Sequence, residues 1–265
     1  MKRALIAAAV ILAACDPAPV PTIPPPSVDT TSELNVWLDG HPIVDLDGRT
    51  VDTNNGPIRP PEGSTLSNGT LRRTVRSDQS TFEHVLIDED NVTLDNLTIE
   101  GTETHDPHYG LQPVYDPTVE HQHGISVIGA NDVTISGVTV AHVWGDGLYV
   151  DGGTRNLTAT RMDIQQAGRS SVSNVWSYQT SITDTYAYGA GLWLLNLEPS
   201  TASQEVVGYR VSGMSTKLGG SRSWWLFADG PDYQCRVEAV IQRPTGLSPS
   251  ARTRIDPCTE DLVIT

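Results

Sequence analysis

The stretch from Glu103 to Gly124, ETHDPHYGLQPVYDPTVEHQHG, concentrates groups that can move protons, bind cations or stack on flat ligands. His105, Asp106, His108, Tyr109, Tyr115, Asp116, Glu120, His121 and His123 all fall in it, including four of the chain's seven histidines. Further on stand Asp146 in Trp144-Gly145-Asp146-Gly147, Arg169 beside Ser170, and Glu198. An acid, an imidazole and a guanidinium brought together perturb one another's protonation, which is what acid–base chemistry requires. The same groups, fully bonded to one another, make only a structural polar ladder.

The elements that must position them are read from a repeat. Val133, Ile135, Val138 and Val140 are spaced two, three, two, and Leu157, Ala159, Met162 and Ile164 repeat this 24 residues later. Val92, Leu94, Leu97 and Ile99 carry the same pattern 41 residues earlier, and Ser64, Leu66, Gly69 and Leu71 are a weaker copy before that. Ser181/Thr183/Tyr186/Tyr188 and Tyr209/Val211/Met214/Thr216 continue it. A spacing of two is strand alternation, and the central three marks a corner that returns the inward face, at Asp95-Asn96 and Ser136-Gly137. A shorter inward pair precedes each set: Val85/Ile87, Ile125/Val127, Leu148/Val150 and Leu192/Leu194.

Three short strands per coil, recurring at about 24 residues, predict an all-β, right-handed, single-stranded parallel β-helix. An antiparallel sandwich would instead need two-residue hairpins between strands. Residues 32–61 are expected to form an N-terminal cap, about 62–220 the coils, and 221–265 a C-terminal cap. The step of 41 places an insertion within Thr102 to Gln122, and long loops on regular scaffolds carry function. Two residues before each first strand stand Glu83, His123, Asp146 and Ser170. Adjacent coils lie about 4.8 Å apart, so His123 is expected to bond Asp146, and Arg169 to pair with Asp146.

The N-terminus points to export. Lys2 and Arg3 precede an uncharged apolar run, Ala4 to Ala14, too short for a membrane span. Leu12-Ala13-Ala14-Cys15 resembles the lipobox of bacterial lipoproteins, which implies a leader over 1–14 and lipidation of Cys15. Residues 15–28 are proline-rich and read as a semi-rigid spacer before a domain over 29–265. The chain is thus expected outside the cell, anchored to the outer side of the membrane by lipid alone. The net charge of −15 argues against nucleic acid as a partner. It leaves calcium as a candidate cofactor with no ligands assigned, or serves only as a solvated face. Cys235 and Cys258 are left either as a disulfide or as a pair of free thiols.

Glu120-His121-Gln122-His123-Gly124, Trp144-Gly145-Asp146-Gly147, Ala167-Gly168-Arg169-Ser170 and Asn196-Leu197-Glu198-Pro199 resemble, in order, motifs of β-helix repeat proteins of the pectin-lyase-like superfamily. The likeness is to largely uncharacterised secreted bacterial members and spans Gly63 to Thr216; it departs at Asn196, where an aspartate is expected. It implies binding, and cleavage or modification, of an extended polysaccharide, as a lyase or a glycoside hydrolase. Asp146 is then the expected acid or base, His123 its partner and Arg169 a clamp, with Glu120 and Glu198 as further carboxylates. His108, Tyr109, Tyr115 and Trp144 are expected to contact sugar. The doubled aspartate and Gly-His-Gly of polygalacturonases are not found, and Asp106-Pro107-His108 matches alginate epimerases only as a triplet. The rival is a non-catalytic adhesin or structural envelope lipoprotein, cellular or phage-encoded. It predicts a polar column closed to solvent, where the enzyme predicts an open groove.

Overall fold

The computed structural model describes residues 20–77, 82–103, 115–201, 203–217, 224–228, 236–255 and 261–265. Cys15, Cys235, Cys258, His108 and Tyr109 lie outside them. The described chain is a parallel β-solenoid with very little helix. One sheet stacks, each strand parallel to the next, Val85–Ile87, Ile125–Ile128, Leu148–Asp151, Ser170–Asn174, Trp193–Leu197, Trp224–Ala228 and Arg252–Ile255. The other strands of each coil join a second sheet that wraps the remaining faces.

The two-three-two pattern lines the interior. Val92, Leu94, Leu97, Ile99, Val133, Ile135, Val138, Val140, Leu157, Ala159, Met162 and Ile164 are all buried in one core. The central three is explained by a column of left-handed residues at one bend: Asn96 (φ 49°), Gly137 (62°), Arg161 (52°), Asp184 (50°) and Gly213 (63°). Asn and Asp tolerate that conformation better than other side chains.

The stack extends past both expected coil limits. Ile43–Asp45 and Thr50–Asp52 pair in parallel with Thr65–Arg72, and Arg236–Ile241 pairs with Glu205–Ser212. The first of these coils is hidden in sequence because its bend carries Asp47 and Gly48, both left-handed. Leu46, displaced by that longer bend, fills the place of a side chain at Gly69, where a Cβ would lie 2.5 Å from Leu46 Cβ. The N-terminal end is covered by helix Thr31–Gly40, started by a capping box between Thr30 and Glu33.

Candidate functional site

The register places Ile125 beside Leu148 and Leu148 beside Val172, so His123, Asp146 and Ser170 stack on successive coils as the spacing predicts. Gly145 lets the chains close up there: a Cβ would lie 2.5 Å from the Glu120 carbonyl oxygen and 2.7 Å from His123 Nδ1. Such approaches exclude any side chain.

Asp146 is 0 % and His123 2 % exposed. The Asp146 amide donates to His123 Nδ1 at 2.9 Å. An amide can only donate, so Nδ1 accepts and the ring proton sits on Nε2. The Asp146 carboxylate lies 3.5 Å from the same nitrogen as a neighbour, without a hydrogen bond. The expected pairing therefore runs through the Asp146 main chain. Burial, then the charges of Arg169 and His121, hold His123 well below its ordinary pKa, so the ring is neutral. Tyr149 stacks flat on it, with ring centroids 4.4 Å apart, and donates its hydroxyl to Asp151 at 3.0 Å.

The Asp146 carboxylate accepts from Arg169 Nη1 at 2.9 Å and from the Ser170 amide at 2.8 Å. Burial raises its pKa, opposed by Arg169, Ser173 and the Ser170 amide. Arg169 is the hub. Its Nη2 donates to Glu198 at 2.7 Å, and its Nε lies 3.8 Å from Glu120. Burial alone would lower its pKa, but Asp146, Glu198 and Glu120 more than offset this and hold it above its ordinary value.

The two glutamates form the open rim, with side chains 24 % (Glu120) and 37 % (Glu198) exposed. Tyr115 donates its hydroxyl to Glu120, and burial together with that carboxylate pushes its phenol up to about 12. His121, half exposed, lies 3.7 Å from Glu120. Asn196 donates to Glu198 at 3.0 Å and to Ser173 at 3.4 Å, while its buried Oδ1 has no protein partner.

Five expected site residues, His123, Asp146, Arg169, Glu120 and Glu198, thus meet with Tyr115 in one cluster. Trp144 does not join them. Its indole donates to Thr102 at 3.0 Å, and Arg76, paired with Asp116 at 2.5 Å, covers one ring face at 4.2 Å. It is tied to Thr102 and, through Arg76, to Asp116. Tyr149 and Ser173 were not singled out from sequence. Extending the register outward, through Ser126, Tyr149, Ser173 and Asn196, finds them.

Among the described residues no group of three or more His, Cys, Asp or Glu side chains is arranged to hold a metal ion. The guanidinium of Arg169 occupies the position between three carboxylates that a cation would take.

No family model matches the chain, and no curated protein matches it. Among solved structures it is similar to one described as a "putative glycosyl hydrolase" from Parabacteroides merdae, at 15 % identity and a TM-score of 0.48, covering 72 % of this chain and 92 % of that one. At that level of likeness it assigns neither a reaction nor a residue.

Proposed function

We propose that this is an exported, lipid-anchored, carbohydrate-active protein that binds an extended glycan across the cluster and hydrolyses it with Glu120 and Glu198. The observation that carries this reading is the pair of solvent-reaching glutamates tied to one largely buried guanidinium. Glycoside hydrolysis needs two carboxyl groups beside the scissile bond. One gives a proton to the leaving oxygen, and the other activates water or attacks the anomeric carbon. Asp146, closed to solvent, is a positioning residue here: it holds Arg169, and Arg169 holds the rim. The acid–base role expected of Asp146 passes to the glutamates. As a clamp, Arg169 already gives Nη1 to Asp146 and Nη2 to Glu198.

The test is a glycan panel, with and without calcium, scored separately for binding and for new reducing ends. E120Q and E198Q should each lower turnover on a cleaved glycan by about 10²–10⁴-fold while leaving binding measurable. Undiminished turnover in both would overturn the assignment. The complete burial of Asp146 and His123 favours one second reading, the non-catalytic adhesin, which predicts binding with no product from the unaltered protein. For the address, C15S should move the protein from the membrane fraction to the soluble one; retention on the membrane would remove the lipid anchor from the proposal.

A further inference from the structure

We infer that the glycan this site accepts carries no acidic groups on the sugars that cross Arg169. The inference rests on the reading of the cluster as a glycan site and names its substrate class. Three carboxylates, Asp146, Glu198 and Glu120, face a single guanidinium. Its Nη1 donates to Asp146 at 2.9 Å and its Nη2 to Glu198 at 2.7 Å, and the Glu120 carboxylate stands 3.8 Å from its Nε, so the acids around it outnumber its single charge. A uronate or sulfate brought to it would stand against the carboxylates of Glu198 and Glu120 as well as the guanidinium.

Among the described residues at the rim the other side chain able to carry positive charge, His121, lies against Glu120 at 3.7 Å. Arg76, nearest along the loop, is spent on Asp116 and on the Trp144 ring. Between Arg76 and Arg155 the sequence holds neither lysine nor arginine, yet fourteen aspartates and glutamates. The inserted loop, 102–124, therefore brings histidines but no permanent positive charge. On the far side of His123, Tyr149 donates to another carboxylate, Asp151. Tyr115 approaches Glu120 as a neutral hydroxyl. Like charges a few ångströms apart at a protein surface cost enough to change affinity by about tenfold or more, less as salt rises.

The experiment is binding of the full-length protein to a panel in which each uronate polymer is paired with its own methyl ester. Chitosan and a neutral β-glucan are included. Expected is at least about tenfold tighter binding of the ester than of the acid for whichever backbone is recognised, with the gap narrowing as ionic strength rises. E198Q should narrow it too, by admitting the acid better. Equal or tighter binding of the acid form overturns the inference and leaves the glycan reading standing. Failure to bind any member of the panel overturns both.

Discussion

Two buried histidines, His84 and His123, stand one coil apart, each beside a largely buried arginine, and the two arginines are held in opposite ways. Arg73 donates to the main-chain carbonyls of Phe82 at 2.6 Å and Glu83 at 2.9 Å, and its guanidinium lies 4.1 Å over the Phe82 ring. Burial lowers its pKa to about 10, only partly offset by the charges of Glu83 and Asp52. Arg169 is likewise largely buried but spends its donors on Asp146 and Glu198, and these side chains with Glu120 push its pKa the other way. The paired histidines behave alike: His84, 3.0 Å from the Thr53 hydroxyl, and His123 are both held neutral by burial first. Burial of a cation and an imidazole is therefore not itself a sign of a site. What distinguishes the second pair is that its cation is anchored below on a buried carboxylate and holds two others at the surface.

The comparison breaks most sharply on the arginines. R169M leaves Asp146 buried without its counter-charge and should destabilise the fold by about 3–5 kcal/mol in urea titrations. R73M strands carbonyl oxygens, not a charge, and should cost less, about 1–3 kcal/mol. R73M should also leave glycan binding intact while R169M abolishes it. Equal costs would mean that the Asp146 carboxylate is stored protonated and the two pairs are equivalent.

The smallest effect is in pH. Both histidines have folded pKa values below the unfolded value of about 6.5, so the stability tied to their neutral forms is complete above that pH. It is lost as pH falls below it, at up to about 1.4 kcal/mol per pH unit for each ring. Asp146, with its raised pKa, works against this at lower pH, because the folded state takes up its proton first. Stability measured from pH 7 to 5 should lose about half its slope in H84Q and likewise in H123Q. A slope unchanged in both would place the titration elsewhere.

The coils were legible because one period dictates both which residues face inward and which coils are neighbours; the column His123, Asp146, Ser170 follows from that register alone. Solvent was not legible. Ser126, Ser173 and Asn196 point out of the sheet, as Tyr149 does, yet are fully buried, and spacing cannot say what covers an outer face. Spacing singles out Asp146, whereas the exposed positions of the cluster belong to Glu120 and Glu198. The Arg73–His84 pair had no sequence signal, since its acceptors are main-chain oxygens that any residue supplies. Helix Thr31–Gly40 did have one, the Thr30-x-x-Glu33 capping box at the start of the expected N-terminal cap.

The cluster draws Glu120 and His123, Asp146, Arg169 and Glu198 from four successive coils. Solenoids usually gain and lose whole repeats with little penalty, because each contacts only its neighbours. Here that freedom is suspended over one stretch. Duplicating or deleting a unit between residues 124 and 198 would shift one partner by a full strand spacing of about 4.8 Å and part it from the hub. Repeat number can drift beyond those bounds and not within them, so chain length here is constrained by a set of ion pairs as firmly as by the hydrophobic core.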